Sequence, residues 1–326
     1  MTNIRWAIPP KESVLAGIDT LYPRTDTLYA DNTLPITKKL AQDCHEWLER
    51  HHQRNEYHQL STTVQGHLDA TGPLNPKAWS PLRWLALYYD VASCDAFLRS
   101  DVETLTGALQ HAVQLRALLF RWNGMYSDMR QDLGNWPTEF TDGMAAAGPA
   151  MLSWWNSAET CAQLFIEMAE KDQRLNILHE MRRIKHGSSD AFLIGLFSQA
   201  FGMQTDFVAP VELIPEYQAL LDHWHSFDET MFAAVMQKAA DFHITRSKDG
   251  TDQTTYEFEA TLDRVFPAEL LAVQALRRRQ GLPEFKTDHL LIDTPWALVR
   301  DMPPAAPHPL AAVVEARLVQ DYPQFR

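Results

Sequence analysis

The sequence predicts an all-α fold: a multi-helix array of antiparallel helix pairs, solenoid-like in its stacking, around one continuous core. Three observations carry that expectation. Glycine is scarce, with 13 in 326 residues. Apolar residues recur at three- and four-residue spacing over long segments, which is the helical period. Runs that alternate apolar and polar residues beyond four positions are nearly absent, so strands find little support. Hydrophobic residues make up 45% of the chain and aromatics 10%, including ten Trp, enough to build a sizeable core and to confine disorder to the ends. The expected unit is a single all-helical domain over 1–326, with lobes 1–123 and 151–326 joined by 124–150.

Taken in order, the first predicted helix spans about Ile36 to Arg54. Ser80-Pro81 places proline in a first turn, where its missing donor costs nothing, and opens a buried helix through Leu82 to Tyr89. Ser100-x-x-Glu103 reads as a capping box ahead of Val102, Leu105, Leu109, Val113, Leu119 and Phe120, with an end near Asn123-Gly124. The stretch Gly124 to Pro149, with Gly134, Trp136-Pro137, Gly143 and Gly148-Pro149, breaks the pattern and reads as a connection. Its Trp136, Phe140 and Met144 argue that it packs instead of swinging free. Further helices are expected over Met151 to Glu170, Asp172 to Lys185, Asp190 to Phe201 and Pro267 to Gln280. A second capping box, Ser226-x-x-Glu229, opens a helix with Phe227, Met231, Val235 and Phe242 on one stripe. An acid followed by an apolar stripe and an aromatic recurs near 101–122, 151–170 and 228–245, without the fixed period of a repeat array.

Charge narrows the partners. With 42 acidic and 29 basic side chains the formal net charge is −13, which opposes binding to nucleic acid or an anionic membrane and suits a basic protein partner. No stretch approaches the roughly 20 apolar residues of a membrane span. Met1 to Pro10 lacks the basic-then-apolar order of a secretory signal. Cys44, Cys94 and Cys161 are isolated, without zinc, redox or disulfide spacing, and read as buried thiols of a reducing compartment. A cytoplasmic location is the expectation.

No nucleophile elbow, phosphate-cradling loop or dinucleotide fingerprint occurs. The one metal-like cue is Asp222-His223-Trp224-His225 with Asp228, because imidazoles and carboxylates suit zinc or iron. On a helix His223 and His225 stand about 200 degrees apart, so an ordinary capping turn is the simpler reading. His45, His51, His52 and His58 lie among charged residues and read as a solvated face. Neither His45-Glu46 nor His179-Glu180 has the second histidine one turn on that a zinc protease needs. Arg182, Arg183, Lys185 and His186, ahead of Gly187, fit a helix C-terminus. No cofactor and no metal are expected.

The more informative stretch is acidic. Asp249, Asp252, Glu257, Glu259, Asp263 and Glu269 face a single Arg264, with Tyr256 and Phe258 among them. Acids beside exposed aromatics steer and then anchor a basic partner, so Asp249, Asp252, Tyr256, Glu257 and Glu259 are the candidate partner-binding residues.

The segment Ser226 to Leu291 is similar to the C-terminal part of the immunity protein 49 family of bacterial polymorphic toxin systems. The likeness lies in the order of elements: the Asp228 to Phe242 helix, a polar insertion from Arg246 to Thr255, and the Pro267 to Arg279 helix. Gln280-Gly281-Leu282-Pro283 and Asp288-His289-Leu290-Leu291 follow. Pro81 to Arg99, with Trp84, Ala86, Asp90 and Phe97, resembles an earlier helix pair of that family. The resemblance implies an all-helical protein that binds and blocks a cognate toxin, delivered by type VI or contact-dependent secretion, and it brings no catalytic residues. Arg277-Arg278-Arg279 and the tail beyond Pro303 fall outside what it explains. The rivals are a helical metalloenzyme centred on His223 and His225, and a helical scaffold.

Overall fold

The computed structural model describes residues 38–129, 140–179, 188–209, 211–251 and 256–326. Among these the chain is all-helical, with thirteen α-helices and no strand. They are α1 (Lys38–Gln53), α2 (Glu56–Asp69), α3 (Trp79–Leu98), α4 (Val102–Met129), α5 (Phe140–Met151), α6 (Trp155–His179) and α7 (Ser189–Phe201). There follow α8 (Pro215–His223), α9 (Glu229–Thr245), α10 (Thr261–Val265), α11 (Ala268–Arg279), α12 (Leu290–Val299) and α13 (Pro309–Asp321).

The helix hairpin of α3 and α4 organises the rest, and its turn differs from the expected capping box. Ser100 sits in the left-handed region, φ 58°. Its N–H meets the Phe97 carbonyl at 3.0 Å while that of Asp101 meets Ala96 at 2.9 Å, the paired bonds that close a helix C-terminus. Ser100 therefore ends α3. Asp101 begins α4, accepting from the Thr104 N–H at 3.1 Å and from its hydroxyl at 2.7 Å. At the second expected box the cap is likewise a carboxylate: Asp228 accepts from Met231 N at 3.1 Å, while the Ser226 hydroxyl only braces Asp228 N at 3.0 Å. An ionised acceptor at the positive end of a helix outcompetes a hydroxyl one or two residues away.

α4 does not stop at Asn123-Gly124 but runs on to Met129. Gly124 serves a different need there: a Cβ at that position would fall on the Leu164 side chain, so the missing side chain lets α6 lie close against α4. The 124–150 segment is likewise no simple connection. Its described part completes α4 and forms α5, whose Met144, Ala145, Ala146, Ala147 and Ala150 are buried where α4, α6 and α11 pack around it. A run of alanine and glycine signals a helix narrow enough to be surrounded, although glycine and proline also signal breaks. α6 joins what the sequence reads as two helices, and Asp172 lies buried inside it instead of opening a second one.

The apolar interior forms two clusters, where one continuous core was expected. The larger runs from α1 to α12 and takes residues from 1–123, from α5 and from beyond 151. The smaller is built from α2, the first half of α3, the second half of α4, and α13 with Phe325. α3 and α4 serve both. Leu109 and Val235 are buried as expected. The stripe on α9 is offset from the expected one: Phe232, Val235, Met236, Ala239, Ala240 and His243 face inward, whereas Phe227 is 74% and Met231 43% exposed. The inward set keeps to one face over about three turns, while Phe227 lies before the helix starts.

The tail beyond Pro303 is also structured. A strap from Pro303 to His308 crosses α4, where Gln110 donates to Pro303 O at 2.9 Å and accepts from Ala305 N at 2.9 Å. Gln114 accepts from His308 N at 2.8 Å. Then α13 docks on α2 and α4.

Gly124→Ala separates packing from propensity. Alanine favours a helix interior by about 1 kcal/mol, but overpacking against Leu164 costs about 1–3 kcal/mol. A lower urea midpoint for the variant is the expected result, and a higher one would show that α6 yields.

Candidate functional site

The expected acidic and aromatic surface is only partly assembled. Asp249 is exposed, and its carboxylate accepts from Arg264 at 2.6 Å, which holds it below the usual carboxylate range. Tyr256 has cations over its ring, Arg246 at 5.3 Å and Lys248 at 5.8 Å. Glu259 is exposed. Asp252 lies outside the described residues. Glu257 departs from the expectation of an exposed acid: it is 2% exposed and accepts from Ser189 N at 2.7 Å, and burial pushes its carboxyl up. The cause is its neighbour. Phe258 is fully buried, stacked on His243 with ring centres 3.8 Å apart, and it draws the chain inward.

Behind this surface lies a closed polar network. His243, on the inward stripe of α9, has Nδ1 2.6 Å from Glu269 and Nε2 2.9 Å from the Asp263 carbonyl. A carbonyl only accepts, so Nε2 carries a proton and the second proton lies between Nδ1 and Glu269. The Tyr217 hydroxyl donates to the same Glu269 oxygen at 3.2 Å. The Asp263 carboxylate takes both arms of Arg116, at 2.6 and 3.0 Å. Burial pushes nearby Asp90 up to about 7 against the pull of Arg116. These groups resemble the parts of a catalytic centre, but His243 and Glu269 have no exposure at all. The void beside Arg116 and Asp263, about 10 Å³, holds one water at most. The network holds helices together and offers no berth for a substrate.

The thiols are equally withdrawn. Cys44, Cys94 and Cys161 are buried and free. Desolvation pushes Cys44 and Cys161 up to about 12, so neither supplies thiolate near neutral pH. His223 and His225 are exposed on either side of buried Trp224, and no group of three or more metal-ligating side chains occurs among the described residues. Arg182, Arg183, Lys185 and His186 lie outside them. The arginine run is fully employed. Arg277, buried, donates to the carbonyls of Trp224, Ser226 and Pro283 and lies 4.0 Å over the Phe232 ring. Arg278 pairs with Asp301, and Arg279 with Glu159 beneath the Trp155 and Phe201 rings.

Of the N-terminal histidines, His45, His52 and His58 are exposed as a solvated face requires, and His51 is not. His51 is buried, stacked on Trp47 with centres 3.6 Å apart and 2.8 Å from Glu56. His52 meets the Tyr88 hydroxyl at 3.1 Å. The cluster continues through Tyr57 and Tyr89, whose hydroxyls are 2.9 Å apart, to His308 and His111. Beside it the strap covers a cleft of about 270 Å³, lined by His111, Gln114, Arg121 and Trp154. His308 was missed by sequence reasoning although Pro309 marks the first turn of α13 and so marks His308 as its cap. Its Nδ1 accepts from Ala311 N at 3.2 Å, and burial with His111 nearby holds it down at about 4.

Two predictions follow from this geometry. Glu257→Lys should lower stability by about 3 kcal/mol or more, since it sets a buried cation against the Ser189 N–H. Glu259→Lys should stay within about 0.5 kcal/mol, and equal urea midpoints for the two would refute the burial of Glu257. For His308 the folded state binds its proton less readily than the unfolded chain. Its stabilisation is complete above pH 6.5, falls as pH drops toward about 4, and amounts to about 3 kcal/mol. His308→Asn, which retains a capping oxygen, should flatten the stability curve between these pH values, and an unchanged slope would refute the assignment.

Compared with known proteins, the chain matches no family model, no curated protein and no solved structure.

Proposed function

We propose that this chain is a toxin-neutralising immunity protein, which binds and blocks a cognate effector with a basic surface inside the cytoplasm of the cell that makes it. Delivery of that effector by a type VI or contact-dependent system goes with the family resemblance of Ser226 to Leu291. The observation that carries the reading is the division of chemistry between inside and outside. The acid, base and nucleophile candidates that the fold gathers in its interior, His243, Glu269, Asp90 and the three cysteines, are buried, while the chain bears a formal net charge of −13. Such a molecule is suited to attract and hold a basic protein more than to turn over a substrate. Among the described residues no helix is long and apolar enough to cross a membrane, in keeping with a partner met in solution.

In this reading Asp249, Asp252, Tyr256 and Glu259 contribute to the partner surface and Glu257 supports it from beneath. The test is protection: the effector encoded beside this gene is expressed with and without the chain, and binding of the purified pair is measured at low and high salt. Protection, together with affinity that falls as salt rises, is expected, and association should slow for Glu259→Lys with Asp249→Lys. Full toxicity in the presence of well-folded chain, with no measurable complex, would overturn the proposal.

A further inference from the structure

The turn between α8 and α9, Asp222 to Met231, exposes apolar side chains that the fold does not use. Phe227 is the most exposed large apolar residue described, at 74%, and Met231 is 43% exposed. The backbone that presents them is tightly fixed. Arg277 reaches the Trp224 and Ser226 carbonyls from within, the Trp224 indole donates to Gln199 at 2.8 Å, and Ser226 and Asp228 brace the start of α9 at 3.0 and 3.1 Å. A buried arginine spent on two carbonyls of a surface turn makes that turn rigid, and a rigid contact loses little entropy when a partner arrives.

The charge around the ring has one sign. Asp222, Asp228 and Glu229 are exposed, and no Lys or Arg lies between 222 and 231. His225 is held below its ordinary range by burial and by Arg277, so it adds no charge near neutral pH. The arginines beneath the turn are committed elsewhere: Arg277 is buried, Arg278 pairs with Asp301 and Glu284, and Arg279 with Glu159. An exposed aromatic at the centre with acids at its rim is the anatomy of an anchor for a basic partner.

We infer that the Asp222 to Met231 turn is the anchoring contact for a basic protein partner: Phe227 and Met231 enter an apolar pocket whose lysine or arginine rim meets Asp222 and Glu229. The inference rests on the toxin-binding reading and names where its partner is gripped, with Tyr256 and Glu259 outside that anchor.

The probe is a synthetic amphipathic peptide of leucine and lysine at helical spacing, titrated by fluorescence anisotropy into the full chain. Salt-sensitive binding is expected, weakened about tenfold or more in Phe227→Ser with Met231→Ser, and also in Asp222→Lys with Glu229→Lys. Val319→Ser, an exposed apolar position on α13 outside both surfaces, should bind within about twofold of the parent chain. Equal affinity in the turn variants, or no binding by the parent chain, would overturn the anchor. So would a dimer that Phe227→Ser dissolves in sedimentation, since a second copy would then be the occupant. The same variants against the neighbouring effector separate the two readings. An effector bound equally well by the turn variants removes the anchor and leaves the function standing. Peptide bound at Phe227 with no effector bound removes the function and leaves the anchor.

Discussion

The fold depends on bringing a set of buried polar and charged groups from different helices together. Asp263 of α10 takes the Arg116 guanidinium from α4 on its carboxylate and His243 from α9 on its carbonyl. Glu269 of α11 then takes the other side of His243 and the Tyr217 hydroxyl from α8. Five helices are thereby brought to one register, because an ion left without its partner in this interior costs several kcal/mol while each completed contact only offsets desolvation. Apolar packing around the network is more forgiving: alanine-rich α5 and the leucines of α4 set how close helices come, and the polar contacts set which faces meet.

Much of the helical plan was legible because it rests on local physics. The spacing in α4 marks Leu109 as core, and Pro81 marks the start of α3, without reference to anything distant. The misreadings have a common origin in choices settled by tertiary neighbours. Gly124 carries the ordinary signal of a helix end, yet its role is set by Leu164, forty residues away. Ser226 and Glu229 form a plausible box, yet Asp228 competes better for the same donors. At the start of α9, Phe227 and Met231 are as apolar as Phe232 and Met236, and the packing of α8 and α11 against the helix decides which pair is covered.

The candidate partner surface shows the same limit. Asp249 and Glu259 are exposed and Tyr256 is half-buried, but the burial of both Glu257 and Phe258 between Tyr256 and Glu259 has a physical reason that composition does not carry. Phe258 must reach His243, and the acid beside it goes inward to Ser189. Conversely, Arg277 looked like one of three equivalent cations. Its neighbours divide the labour: Arg278 pairs with Asp301 just past α12 and Arg279 with Glu159 of α6, while Arg277 gives up solvent to stiffen a turn. A run of like residues thus holds three different environments, set by the hundred-degree step of the helix.

The strap and α13 tie together parts of the chain made far apart in time. Gln110 of α4 waits for the carbonyl of Pro303, 193 residues later, and the smaller cluster stays open on one side until Ala311, Val314 and Leu318 arrive. During synthesis the side of this cluster that α13 will cover therefore faces water while most of the larger cluster can already condense. Closure of such a remote contact is slow relative to helix pairing, and the uncovered face is the part of the nascent protein most open to association with other chains. Docked over that side, α13 acts as the latch that ends the exposure.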